Sequence, residues 1–331
     1  MSASLLIFLC VLPTVVLPAV SLAAQQPGKV FRIGFLDIST ASVSAVLVDA
    51  LRQELSKLGW VEGKNITFEY RFAEQKEERL RELAVDLVRL KVDVLVVPGG
   101  DQALVAKGAS STIPIVMTGA NDPVALGLVA SLARPGGNVT GLSALAFELN
   151  TKRLEVLKDA IPKLARVGFL QSKQGSAKTR NIELKELRTA ASALKLKVEA
   201  IEIETDAKAI ESAFQTAKQM QIDAIMTGAS RYFLAEKKQI VHLANQNRLP
   251  AIYHQRAYVD EGGLMSYGVD YVDLYRRAAG YVDKILKGAK PANLPVQQAT
   301  KFEFVINLKT AKKIGLPMPV DLLQRANQVI K

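Results

Sequence analysis

RIGFL at 32–36 returns as RVGFL at 166–170, and the reading of the fold grows outward from that echo. Two further segments repeat in the same order and at nearly the same spacing. VDVLVVPGG at 92–100 is matched by IDAIMTGAS at 222–230, and IPIVMTG at 113–119 by LPAIYHQ at 249–255. Short runs rich in Val and Ile, bounded by Gly, Ser, Asp and Asn, read as buried parallel strands. Between them lie amphipathic helices. Val43, Val46, Leu47, Ala50, Leu51, Leu55 and Leu58 keep helical spacing on one face, ended by Gly59; Leu80, Leu83, Ala84, Leu87 and Val88 repeat the pattern. In the second unit Asp206 stands where a cap belongs, before Ile210, Ala213, Phe214 and Ala217. Strands alternating with such helices predict an α/β protein of two doubly wound, Rossmann-like lobes.

The join falls near NVTGLSALAFELN at 138–150, and the C-terminal part does not form a third repeat. It predicts a helix carrying Leu274, Ala278, Tyr281, Val282, Ile285 and Leu286, then a strand at FEFVINL from Phe302 and a short final helix. The chain is therefore expected to cross between lobes more than once, forming a hinge. The expected division is an N-terminal lobe of 29–142 plus about 270–295, and a C-terminal lobe of 143–269 plus about 296–331.

Residues 1–24 read as a signal peptide. Leu5 to Ala24 has no charged residue, is broken by Pro13 and Pro18, and ends on the small-residue sequence Ser21-Leu22-Ala23. Length alone also allows a retained membrane anchor; the prolines and the small residues favour cleavage. The usual basic start is missing, since no Lys or Arg precedes Lys29. Cys10, the only cysteine, follows Leu9 where a lipoprotein signal would place a small residue. Cleavage near Ala23 leaves a periplasmic chain without disulfides, thiol nucleophiles or thiolate metal sites. The 43 basic and 32 acidic residues give +11, but Lys and Arg alternate with Glu and Asp, as in KEERLRELAVDLVRL from Lys76. That pattern reads as a solvated surface rather than a nucleic-acid footprint.

In an open α/β sheet, ligands bind beyond the carboxyl ends of the strands. The repeat thus nominates two facing sets. The first comprises Asp37, Ser39 and Thr40, then Gly99, Gly100, Asp101 and Gln102, then Thr118, Asn121 and Asp122. The second comprises Gln171, Ser172 and Ser176, then Ser230 and Arg231, then His254, Gln255 and Arg256, with Tyr267 and Asp270 after GGLMSYG. Several begin helices, where free amides suit a carboxylate. Each Ser, Thr, Asp or Asn has the alternative role of helix cap, and Arg231 and Arg256 that of surface charge. No catalytic or metal-ligating set emerges: His242 and His254 are the only histidines, and GLSAL at 141–145 lacks the second glycine of a nucleophile elbow. Neither a phosphate-binding loop nor a dinucleotide fingerprint occurs, so no cofactor is expected. Asn65 and Asn138 begin glycosylation sequons of a kind that arises by chance.

NDPVALGLVASLARPGGNVTGLS from Asn121, LPAIY from Leu249, GGLMSYG from Gly262, DKILKGAKPANLPV from Asp283 and KFEFVINLKTAKKIGL from Lys301 resemble the ABC-transporter substrate-binding family related to tryptophan and tyrosine binding proteins. The resemblance covers nearly the whole mature chain. It implies a type I periplasmic-binding-protein fold, two lobes closing on a small molecule across a three-crossing hinge, and delivery to a permease driven by its ATPase. It implies no enzyme activity and a monomer. It also implies an amino-acid-like or carboxylated ligand, Ser172 and Ser176 standing where members carry carboxylate-binding residues and Asp270 where an acid meets a ligand amino group. Thr118, Asn121 and Asp122 match the family's first-lobe loop in part. An exported sensor, read by a membrane receptor, is the alternative use of the same closure.

Overall fold

The computed structural model describes residues 29–206 and 208–331. The segment read as an export signal, 1–24, lies outside them. In the first unit β1 (Phe31–Asp37), α1 (Ala41–Lys57), β2 (Ile66–Phe72), α2 (Glu77–Arg89), β3 (Val94–Val97), α3 (Gly100–Ala109), β4 (Ile115–Ala120) and β5 (Val139–Ser143) alternate as expected. The second unit runs α4 (Glu148–Ala160), β6 (Arg166–Ser172), α5 (Ala177–Ala193), β7 (Lys197–Ile203), α6 (Ala209–Gln219), β8 (Ala224–Thr227), α7 (Arg231–Ala235), α8 (Lys237–Gln246), β9 (Ala251–Tyr253), α9 (Ala257–Asp260) and β10 (Met265–Val269). The remainder is α10 (Tyr271–Leu286), β11 (Gln297–Gln298), β12 (Phe302–Asn307), α11 (Leu308–Ile314), α12 (Val320–Arg325) and β13 (Gln328–Ile330).

The strands form two sheets, ordered β11-β5-β4-β3-β1-β2 and β13-β12-β10-β9-β8-β6-β7. All pairings are parallel except β10 with β12. Within both, the echoed strand lies between the next two strands of its own unit, so the order reverses beside β1 and beside β6. Helices cover both faces: α1 and α10 pack on one side of the first sheet and α2 and α3 on the other. Around the second sheet, α4, α5, α11 and α12 share one face, and α6 and α8 the other.

The echo has a contact-level cause. A Cβ on Gly34 would lie 2.8 Å from Leu95 Cδ2, and one on Gly168 3.0 Å from Ile225 Cδ1, so a side chain at either position would crowd the neighbouring strand. Arg32 Nη1 donates to Leu90 O at 2.9 Å, and Arg166 Nη1 to Met220 O at 3.0 Å; each satisfies a carbonyl at the end of the helix that leads into the neighbouring strand, α2 before β3 and α6 before β8. The Arg32 and Arg166 amides each donate at 2.8 Å to an acid opposite, Asp93 and Asp223. Asp206 accepts from the amides of Lys208 and Ala209, capping α6 as its spacing predicts.

The chain passes between the sheets three times: at 144–147, at Asp270, and at 299–301. The crossings are tied together, the Asp270 amide donating to Lys301 O at 3.0 Å and the Ala299 amide to Ser143 O at 2.9 Å. Two expected boundaries shift. Ser143 belongs to β5, and Gln297–Gln298 pairs with β5 in the first sheet, because the returning chain adds an edge strand before it crosses. In α1 the buried face uses Val48 and Ser44 rather than Val46, which is 71% exposed. The single short final helix expected after Phe302 is two helices and a strand, β13 pairing with β12. None of the described helices is long and apolar enough to cross a membrane.

Candidate functional site

The carboxyl ends of β1 and β3 face those of β6 and β8 across a cavity of about 140 Å³. The first lobe lines it with Ile38, the turn Pro98 to Gln102, Gly119, Asn121 and Leu126, and α10 adds Tyr271 and Tyr275. Phe147, in the first crossing, joins them. From the second lobe come the segment from Gln171 to Glu183, the turn Gly228 to Arg231, and His254 with Gln255.

Of the residues singled out in the sequence, Gly100, Asp101, Asn121, Ser172, Ser176, Ser230, Arg231 and Gln255 line this cavity. Gly99, Gln102, Gln171 and His254 do so as well. Others are drawn into local bonds. Asp270 caps α10, accepting from the Asp273 amide at 3.0 Å, and Asp122 accepts from the Ala125 amide at 3.0 Å. Thr118 is buried with its hydroxyl directed to Pro98 O, and Thr40 begins α1 with its hydroxyl 3.0 Å from that of Ser42. Ser39 is buried and accepts from Gln75 Nε2 at 3.1 Å. Tyr267 is inside β10 rather than after it; its ring packs edge-on against Phe304 and its carbonyl accepts from Arg153. Arg256 stays on the surface, paired with Asp260 and Gln328. Asp37 is fully buried behind the wall, bonded to Arg231.

That pair is one of two grips that hold the lobes together. Arg231 forms an ion pair with Asp37, its Nε 3.3 Å from Oδ1, and its Nη2 donates to Ser44 Oγ at 2.6 Å. Ser44 Oγ in turn donates to Asp37 Oδ2 at 2.5 Å. Burial alone would weaken protonation of Arg231, but the Asp37 charge and hydrogen bond leave it raised. The second grip runs the other way. Asp101 of the first lobe accepts from Thr179 Oγ1 at 3.0 Å and from the Ser176 amide at 3.3 Å. Close approach needs Gly175, whose φ is +87° and whose Cβ, if present, would lie 2.3 Å from Asp101 Oδ2. Beside it the Gly175 amide donates to Glu77, and Gln174 Nε2 donates to Gln75 O at 3.0 Å. Burial raises the Asp101 carboxyl above the usual carboxylate range, opposed by Thr179 and the Ser176 amide.

From Glu183 in the wall a buried polar chain, which the sequence reading did not single out, runs inward to Asn150 and Arg153. Asn150 Nδ2 donates to Glu183 Oε1 at 3.2 Å, and Arg153 Nη1 donates to Asn150 Oδ1. Arg153 Nε donates to Tyr267 O at 2.8 Å, and its Nη1 lies 3.4 Å from Ala146 O. The guanidinium thus joins a residue of the first crossing to the strand that leads into the second. Burial pushes Glu183 up to about 7 and Arg153 down to about 10. His254 is pushed down to about 3 by burial, with the Arg153 and Arg231 charges adding to it, so it stands neutral. The signal was present as charge within an apolar stripe: Arg153 between Leu149 and Leu157, Glu183 one turn before Leu187. Tyr275 is buried in the wall with its hydroxyl beside Thr118, and among the described residues that hydroxyl has no hydrogen-bond partner.

Two lobes of identical central strand order, a triple crossing and a cavity bounded by both lobes define a binding protein of the type I periplasmic class. The sequence profile of the ABC transporter substrate binding protein family matches residues 38–330, and the chain belongs to that family, whose members bind a substrate rather than transform it. A tyrosine-binding protein of Clostridioides difficile (strain R20291) is 27% identical over 263 residues, 79% of this chain and 74% of that relative. The crystal structure of a conserved domain protein from Vibrio cholerae O1 biovar El Tor is 29% identical, with a TM-score of 0.84 over 91% of this chain and 100% of the other. An ABC domain from Streptococcus pneumoniae in complex with L-Trp is 25% identical, with a TM-score of 0.82 and the same coverage.

Proposed function

We propose that this chain is the periplasmic solute-binding component of an ABC importer, trapping an amino-acid-like or carboxylated solute between its lobes. The observation that carries the reading is the cavity walled by both lobes and spanned by bonds from each to the other. Its size, about 140 Å³, is on the order of the cavities that accept a benzene-sized solute. Phe147, Tyr271 and Tyr275 in the wall, and relatives that bind tyrosine and L-Trp, put aromatic amino acids first among solutes to test.

In this reading the wall residues Gly100, Asp101, Asn121, Ser172, Ser176, Ser230, Arg231 and Gln255 surround the solute. Closure is a population shift: the solute favours the closed form by as much as it binds that form more tightly than the open one. The closed face then docks, as a monomer, on a permease coupled to its ATPase. Export through the segment 1–24 supplies the location. The test is a thermal-shift and calorimetric screen of amino acids, aromatic acids and other small metabolites. A binder is expected to raise the melting temperature, by roughly 2.7 kcal/mol of added stability at a hundredfold excess over Kd. It should also touch both lobes in a co-crystal structure. A folded protein that binds nothing in a broad library, or that holds its ligand on one lobe alone, overturns the reading.

A further inference from the structure

Three polar side chains around the cavity, Arg231, Asp101 and Gln174, are engaged by the lobe opposite their own. Arg231, at the start of α7, bonds to Asp37 and Ser44 of the first lobe. Asp101, near the start of α3, accepts from Thr179 and the Ser176 amide of the second. Gln174 Nε2 donates to Gln75 O at 3.0 Å and lies 3.1 Å from Gln75 Oε1. Among the described residues, every hydrogen bond of these three side chains crosses from lobe to lobe. Two more contacts do the same: the Gly175 amide donates to Glu77, and Val43 of α1 packs against the apolar core of the second lobe. The contacts fall into two separate sets. One joins β1 and α1 to α7; the other joins α3 and the start of α2 to the turn that opens α5.

The donors and acceptors of both sets belong to the chain itself, so the contacts form whenever the lobes meet. On opening, Arg231, Asp101 and Gln174 find no second partner in their own lobe and turn to water. For the pair of Arg231 with Asp37, lost hydration offsets much of the mutual attraction. The balance therefore rests on the remaining bonds and on the Val43 contact. Each such bond shifts an equilibrium by about two- to tenfold, and contributions from separate sets multiply.

We infer that the lobes latch on one another without a solute: the closed arrangement is the resting state of the free protein, favoured over the open one by at least about tenfold. A solute then enters during brief openings, and its own contacts add to a closure already in place. The inference goes beyond the reading of the cavity as a solute trap and needs no particular solute. Small-angle scattering tests it on protein refolded from denaturant, which strips any carried solute. The wild-type curve is expected to fit the closed arrangement described above. The paired variant Asp37→Ala with Gly175→Ala breaks one contact in each set, since a Cβ at position 175 would lie 2.3 Å from Asp101 Oδ2. It is expected to keep a cooperative melt and to scatter with a larger radius of gyration, the ratio of closed to open falling at least about tenfold. Should that variant lose its cooperative melt, Ser44→Ala with Thr179→Val takes its place. A solute-free wild type wider than the closed arrangement overturns the inference, as does a folded paired variant no wider than wild type. Both measurements are made without solute, so either result leaves the solute-trap reading to its own screen.

Discussion

The two lobes agree where they are built and disagree where they meet. Arg32 and Arg166 cap equivalent helix ends, Asp93 and Asp223 hold equivalent amides, and Lys91 and Gln221 share a left-handed φ of 52° and 53° at the turn between. The same alignment sets Asp37 against Gln171 and Asp101 against Arg231. Equivalent helix starts thus carry opposite charges, and each reaches the other lobe near the end of its first strand: Arg231 to Asp37 and Ser44, Asp101 to Ser176 and Thr179. A duplicated frame tolerates few changes in packing, whereas its loops are free to diverge into complementary charge.

The strongest challenge to the shared frame is a methyl group. Each lobe places a glycine close against the preceding strand or its end, Gly141 in β5 and Gly268 in β10. A Cβ on Gly141, where φ is +126°, would sit 2.2 Å from Met117 O, and one on Gly268 1.8 Å from His254 O. Gly141→Ala and Gly268→Ala should each lower unfolding free energy by more than about 4 kcal/mol in urea titration. Gly288→Ala, strained by a φ of +98° but with open space around its Cβ position, should cost only about 1 kcal/mol. Tolerance of either strand variant would show that the two lobes do not rely on the same close approach.

A second contrast lies in the cavity, between Glu183 and His254. Glu183 ordinarily titrates at 4.5 and is pushed up to about 7 by burial. The folded chain therefore keeps a proton that the unfolded chain has lost, and this stability, full below pH 4.5, is lost as pH rises through 7. His254 is pushed from 6.5 down to about 3 by burial together with Arg153 and Arg231. Its stability is full above pH 6.5 and is lost as pH falls toward 3. The two trends oppose each other between pH 4.5 and 6.5. Glu183→Gln should uncover the histidine trend, and its advantage over wild type should widen by on the order of 3 kcal/mol from pH 4 to pH 8. Parallel urea midpoints for the two proteins across that range would refute this assignment.

The smallest effects separate the grips themselves. Asp37→Ala leaves Arg231 without its acid, and should weaken the closed form by about 2 kcal/mol, roughly 30-fold in apparent affinity for a trapped solute. Thr179→Val removes one neutral donor from Asp101 and should cost about 1 kcal/mol, roughly fivefold. Solution scattering on the solute-free proteins should show a larger radius of gyration for the first variant than for the second. Equal responses would mean that charge does not distinguish the two contacts.

Much of this was written in the sequence, and what was not has a physical reason. RIGFL and RVGFL marked the strands because packing demands glycine and large apolar residues at fixed places. Asp101, Ser172, Ser230, Arg231 and Gln255 could be placed at the cavity because the carboxyl ends of parallel strands are where an open sheet presents its loops. Asp37, Thr118, Asp122 and Asp270 look identical by that rule, yet they turn to neighbouring amides, a carbonyl or the opposite lobe. Which course each takes depends on how the lobes sit against one another, a distance that no local pattern encodes. Arg153 and Glu183 were hidden for a related reason: a charged residue on a helix reads as solvated until both of its neighbours in space are known.

The grip of Arg231 on Asp37 also bears on time. A latch of the protein's own lengthens the stay of every trapped solute by the same factor, and the contacts each solute makes with both lobes multiply that factor further.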